Sequence, residues 1–109
     1  MSKWADYIRE RQGKEVKEWE NAFTVYSFPG DKICYIEDNY VEPKFRKKGI
    51  AAAMANEIVI EAKERGCNLL IGSVDLGAKA PADNMKVLLA YGMEPYMTEG
   101  KLIYFKKEI

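Results

Sequence analysis

Histidine is absent from this 109-residue chain. Without imidazole, Ser-His-Asp and Cys-His catalysis, most catalytic zinc sites and an imidazole general base are excluded. Proton transfer is left to carboxylate, tyrosine, lysine, thiol or water. Cysteine is scarce: Cys34 and Cys67 lie on either side of a long helical segment, at no metal-ligand spacing. They read as reduced thiols rather than a disulfide, and no metal is expected. Neither sign of charge dominates, because 17 basic and 17 acidic side chains cancel. No global field therefore draws the chain to nucleic acid or to an anionic membrane. Long apolar runs are also missing. None approaches membrane-spanning length, and Met1-Ser2-Lys3-Trp4 lacks a signal peptide's apolar core, which points to the cytoplasm.

What is present fits a folded protein. Hydrophobic residues make up 48%, aromatics 12% and charged residues 31%, the balance of one domain over residues 1–109 with a single modest core. Residues 2–12 read as a helix capped by Ser2 and closed by Gly13, with Trp4 and Ile8 turned to the core. Lys14 to Glu20 suits a strand edge or a helical turn. Ala22 to Phe28 and Lys32 to Val41 are strand-like, and Pro29-Gly30-Asp31 between them makes an antiparallel hairpin. Ile50 to Arg65 is a helix: Ile50, Met54, Ile58 and Ala62 recur every four residues, and Gly66 ends it. Asn68 to Val74 is nearly continuous in apolar residues, as in a central strand covered on both faces. A helix links it to the preceding strand, so the two should pair in parallel. Asp83 can cap a short helix from Asn84 to Tyr91, and Met93 to Thr98 with Lys101 to Lys107 form a second hairpin. The fold class is therefore α/β (α+β in some schemes): a mixed, mostly antiparallel twisted sheet with a central parallel pair and flanking helices.

The chemistry concentrates in one stretch. A strand ends at Pro43, a basic turn carries Lys44, Arg46, Lys47 and Lys48, and Gly49 opens the long helix. A helix N-terminus leaves backbone N–H groups without partners, and here they point back at a positively charged turn. The expected ligand carries phosphate; the bland alternative is a solvated charge cluster.

From Ile33 onward the chain resembles the GNAT superfamily of acetyl-coenzyme A-dependent N-acetyltransferases. Arg46-Lys47-Lys48-Gly49-Ile50-Ala51 fits the family motif Arg/Gln-x-x-Gly-x-Gly/Ala. Tyr35-Ile36-Glu37-Asp38-Asn39-Tyr40-Val41 looks like the family's fourth strand and Gly66-Cys67-Asn68-Leu69-Leu70 like its fifth. Leu88-Leu89-Ala90-Tyr91-Gly92-Met93 resembles the ending Tyr-x-x-Leu-Gly-Phe.

The resemblance implies acetyl-CoA as cosubstrate. Its pyrophosphate would meet the N–H groups of Lys48, Gly49, Ile50, Ala51 and Ala52, with Arg46 and Lys47 beside them. Pantetheine would pair with backbone groups of Tyr40 and Val41, and an amide near Val41 would polarise the thioester carbonyl. Glu37 is the candidate base, on one sheet face with Tyr35 and Asn39, while Asp38 faces the other way as a structural residue. Leu88 stands where many relatives have a tyrosine that protonates the leaving thiolate; Tyr91, one helical turn on, is the candidate substitute. The front end is short for the family. The acceptor wall is thus open, suiting a protein lysine or N-terminus, or completed by a second copy in a homodimer, suiting a small amine. Specificity would lie in the Lys79-Ala80-Pro81-Ala82 loop and the Trp4 to Trp19 front end. The implied partners are acetyl-CoA and an amine acceptor, with no membrane and no nucleic acid; the other reading is a GNAT-like module that binds coenzyme A or a protein and transfers nothing.

Overall fold

The computed structural model describes residues 2–109. Helix α1 (Lys3–Gln12) starts where Ser2 accepts from the Ala5 N–H and stops at Gly13, whose φ of 65° is left-handed. Ala5 is the residue this helix buries, whereas Trp4 stays 41% exposed with its ring edge-on to Phe23. The expectation that Trp4 enters the core is corrected accordingly. The ambiguous stretch is strand β1 (Glu15–Trp19), paired antiparallel with β2 (Ala22–Gly30). Strand β3 (Ile33–Val41) returns along β2, so the turn falls at Asp31-Lys32, one step later than the Pro-Gly pair suggests.

A short 3₁₀ turn (Pro43–Phe45) leads to α2 (Ile50–Glu64), and then come β4 (Leu69–Asp75), α3 (Pro81–Ala90), β5 (Glu94–Glu99) and β6 (Leu102–Glu108). The sheet order is β1-β2-β3-β4-β6-β5, with β3 and β4 parallel and every other pair antiparallel. Helix α3 begins earlier than expected. Pro81 takes the first turn, where its missing N–H costs nothing, and Asp83 lies inside that turn rather than at the cap.

The four-residue repeat of α2 puts Met54, Ile58 and Ala62 against the sheet, all fully buried with Cys34, Leu70 and Phe105. Two side chains pin the helix to β2. The Tyr26 hydroxyl donates to Glu61 Oε1 at 2.6 Å, and Glu61 pairs with Arg65 at 3.0 Å. Strand β4 is covered on one face only, against expectation: Leu70, Gly72 and Val74 are buried, while Leu69, Ile71 and Ser73 are half-buried. Helices α2 and α3 pack on that buried face, and α1 covers β1 and β2 on the other. No helix among the described residues is long and apolar enough to cross a membrane.

Both cysteines are buried free thiols, and burial pushes Cys34 up to about 12. The folded value lies above the ordinary 9.0, so stability is unaffected below that pH and falls as pH rises towards 12. Cys34→Ala should flatten this alkaline decline in a urea-unfolding series, and an unchanged slope would assign it to other groups. Ser2→Ala should cost about 1 kcal/mol by the same measurement, because the cap of α1 is lost.

Candidate functional site

Parallel pairing between β3 and β4 starts at Ile33–Leu69 and ends at Ile36–Gly72. Both strands run on, β3 to Val41 and β4 to Asp75, without pairing to each other. The cause is in β2–β3. Val25 lies opposite Asp38 and Tyr26 opposite Ile36, leaving Glu37 as the extra residue of a β-bulge. A bulge bends its strand and raises the local twist, so β3 turns away from β4 at that point. The Tyr35 hydroxyl and Ser73 Oγ, 2.8 Å apart, tie the strands where the ladder stops.

The bulge also resets which way the side chains point. Asn39 is opposite Thr24, which packs on Met54 of α2, whereas Asp38 is opposite Val25, which packs with Ala5 and Val16. Asn39 therefore leaves the face that Tyr35 occupies, and Asp38 joins it, the reverse of strict alternation. Asp38 Oδ1 accepts from the Asn39 N–H at 2.9 Å.

Backbone direction follows from the pairing with β2. The Glu42 N–H donates to the Asn21 carbonyl at 2.9 Å, so Glu42 and Tyr40 turn their backbone groups to β2. Val41, between them, turns its N–H and C=O into the gap. Of the two residues expected to pair with a pantetheine arm, the backbone of Val41 faces that way and that of Tyr40 does not. Arg46 Nε donates to the Val41 carbonyl at 2.8 Å, and its guanidinium lies 5.7 Å from the centre of the Tyr40 ring. This arginine holds the far end of β3 as well as charging the turn.

Lys47 (φ 62°) and Gly49 (φ 79°) are both left-handed, the first against the preference of a side chain, so the chain turns sharply before α2. Gly49 is the N-cap of α2 and no side chain caps the helix. Among the described residues, no carbonyl or side chain accepts from the N–H groups of Lys48, Gly49, Ile50, Ala51 or Ala52; the first such bond is from Ala53 to Gly49. Lys44, Lys47 and Lys48 have no ion-pair partner among the described residues, and Lys48 lies over the Phe45 ring. Unsatisfied donors, a helix dipole and uncompensated cations share one turn, which is the chemistry of an oxyanion site.

Glu37 is half-buried, with Oε1 3.0 Å from Lys14 Nζ and Oε2 buried without a hydrogen-bond partner among the described residues. Tyr91 lies elsewhere. It ends α3, its hydroxyl donates to Asn56 Oδ1 on α2 at 2.7 Å, and burial raises its pKa. Its carbonyl accepts from Lys107, which pairs with Leu70 beside the closed part of the β3–β4 ladder. The structure thus places Glu37 at the start of the gap and Tyr91 away from it. Leu88 is nearer. Its Cδ2 would lie 3.7 Å from a Cβ at Gly72, the last paired residue of β4.

The bulge, the Tyr35–Ser73 tie and the Arg46 latch escaped sequence reasoning. An expected strand of unbroken alternation carries no signal for an extra residue, and Arg46 read as a charge rather than as a donor to its own strand.

A sequence profile of the acetyltransferase (GNAT) family matches residues 10–84. No curated protein matches the sequence at a significant level. Solved structures share its fold. Nourseothricin acetyltransferase is 23% identical with a TM-score of 0.67 over 81% of this chain, which spans 57% of that protein's length. A GNAT family acetyltransferase from Elizabethkingia anophelis with acetyl-CoA bound is 14% identical with a TM-score of 0.74, covering 99% of this chain and 84% of its own. The paia N-acetyltransferase from Thermoplasma acidophilum, in complex with coenzyme A, is 13% identical with a TM-score of 0.76, covering 94% and 66%.

At Gly49 a Cβ would meet nothing within 4 Å, so the constraint on this residue is its φ and not space. Gly49→Ala should therefore destabilise the fold by about 1–2 kcal/mol, read by urea unfolding. An unchanged midpoint would mean that the turn is not left-handed there.

Proposed function

The chain belongs to the acetyltransferase (GNAT) family, and from that membership we propose that it moves the acetyl group of acetyl-CoA to a primary amine, on a small molecule or a protein lysine or N-terminus, by direct attack in a ternary complex. Residues 1–109 would act as one acetyltransferase domain in the cytoplasm. The observation that carries the reading is the gap beyond Ile36 and Gly72, together with N–H groups at the start of α2 that donate to no partner among the described residues.

The residues present fit such a cosubstrate, which when bound supplies a thioester carbonyl open to a nucleophile. The N–H groups of Lys48, Gly49, Ile50, Ala51 and Ala52 would donate to a diphosphate, and Arg46 and Lys47 add positive charge. Gly49 keeps that approach clear of a side chain. The Val41 N–H, turned into the gap, is placed to donate to an oxygen that gains negative charge.

An amine attacks only when neutral, and an alkylammonium holds its proton to a pKa of about 10. Glu37 is the proposed acceptor of that proton. Lys14 orients one of its oxygens and leaves the other without a hydrogen-bond partner among the described residues. Departure of the thiolate needs no strong acid, because a thiol of pKa about 8.5 is a good leaving group. Water would fill the role that Leu88 cannot take.

A second reading, a coenzyme A-binding or protein-docking module without transfer activity, is favoured by Leu88 and by the Tyr91 hydroxyl already bonded to Asn56. Release of free thiol in the presence of a panel of amines separates the two.

Acetyl-CoA at 100 times its dissociation constant should stabilise the protein by about 2.7 kcal/mol in a thermal melt; no shift at millimolar ligand removes both readings. Glu37→Gln should lower turnover and leave that shift intact, whereas loss of the shift would make Glu37 a structural residue. Gly49→Val should remove the shift and with it the turnover, because a branched side chain stands over the diphosphate site.

A further inference from the structure

Past the bulge, the backbone of β3 alternates again. Asp38 and Tyr40 lie opposite Val25 and Phe23, and Glu42 donates to Asn21, so residues 38, 40 and 42 turn their backbone to β2. Asn39 and Val41 turn theirs to the gap, each with an N–H and a C=O. These groups are not equally open. Asp38 Oδ1 accepts from the Asn39 N–H at 2.9 Å, and Arg46 Nε donates to the Val41 carbonyl at 2.8 Å. What remains on this edge is a single donor, the Val41 N–H, and a single acceptor, the Asn39 carbonyl, neither with a partner among the described residues.

The masking matters because the two N–H groups are otherwise alike. Both project from one strand edge in one direction, about 7 Å apart at the rise of an extended chain. A flexible arm that carries a carbonyl can bond to either. A slip from one to the other moves the reacting carbon by that distance, far outside the alignment that a fixed base needs. The sheet does not choose between them, since β4 pairs with neither residue. Asp38 does. A backbone N–H has one proton to donate, and a carboxylate oxygen is a stronger acceptor than a thioester carbonyl, which therefore competes poorly for Asn39.

We propose that Asp38 is a positioning residue for acetyl transfer: its carboxylate occupies the Asn39 N–H, so that a thioester carbonyl in the gap seats on the Val41 N–H alone. With Arg46 on the Val41 carbonyl, the edge offers an extended arm a single ladder step and hence one register. The inference rests on the coenzyme reading of the gap. It goes beyond that reading by assigning a role to a side chain that was expected to be structural and that acts only through its neighbour's amide.

Amide resonances of the isotope-labelled full chain test this without requiring turnover. In the free protein the Asn39 N–H should exchange with deuterated solvent about fivefold more slowly than in Asp38→Ala, the factor for one modest hydrogen bond. Asp38→Asn, which keeps an acceptor oxygen, should keep that protection. On saturation with acetyl-CoA the Val41 amide proton should move downfield in the parent while that of Asn39 stays. In Asp38→Ala both should move and the melting shift should persist. Turnover of that variant at saturating acetyl-CoA should fall about twofold, the share taken by a second donor of equal strength. Asp38→Asn should restore the parent pattern in each readout. A parent in which Asn39 moves as far as Val41 overturns the proposal, and so does an Asp38→Ala variant in which Val41 alone moves. A chain in which no amide responds to acetyl-CoA loses the coenzyme reading, and this inference with it.

Discussion

One extra residue in β3 governs the rest of this molecule. Had β3 alternated without interruption, its pairing with β4 could have continued past Ile36, and the sheet would be closed from edge to edge. The bulge at Glu37 turns the strand instead, and three features depend on that turn. The ladder to β4 stops, the Val41 amide is left pointing at open space, and Glu37 itself sits where the strands part. None of these needs a dedicated loop. The gap is a by-product of strand geometry, stabilised at one end by the Tyr35–Ser73 tie and at the other by Arg46 on the Val41 carbonyl.

The helix that follows completes the arrangement by what it leaves undone. A Ser, Thr, Asp or Asn side chain at the N-cap, the preferred choice, satisfies one of a helix's first N–H groups. Here the N-cap is a left-handed glycine with no such side chain, and the preceding residues carry only positive charge. Unsatisfied donors cost stability unless water or a ligand meets them, so this turn keeps its N–H groups open at the expense of rigidity. Membership of the acetyltransferase (GNAT) family agrees with that physics, and the two arguments are independent.

Much of this was legible in the residues. The spacing of Ile50, Met54, Ile58 and Ala62 marks the buried face of α2 because a helix repeats every 3.6 residues and a sheet accepts one stripe. Pro43, Gly49 and the basic turn mark the end of β3 and the uncapped start of α2, because a proline stops a strand and a glycine takes the left-handed cap. The parallel pair follows from the helix between two strands. What escaped is what depends on register. Nothing in Tyr35 to Val41 says that Tyr35 and Asp38 share a face, or that Asn39 crosses to the α2 side. Trp4 was misplaced for a related reason: the helical period names a face, but Ala5, small enough to let α1 approach β1, decides how close that face comes. One-sided cover of β4 was hidden too, because Leu69 and Ile71 are apolar whether or not a helix lies over them.

The sheet is two antiparallel triplets, β1-β2-β3 and β4-β6-β5, sewn together by four residue pairs from Ile33–Leu69 to Ile36–Gly72. Such a seam is a mechanical weak line: each triplet is internally cross-linked along its length, while relative twisting of the two is resisted by this short ladder and by the packing of α2. An extended ligand lying in the gap would act as a further length of stitching between the two triplets. Occupancy would then be felt as torsional stiffness across the whole sheet, far from the atoms that react.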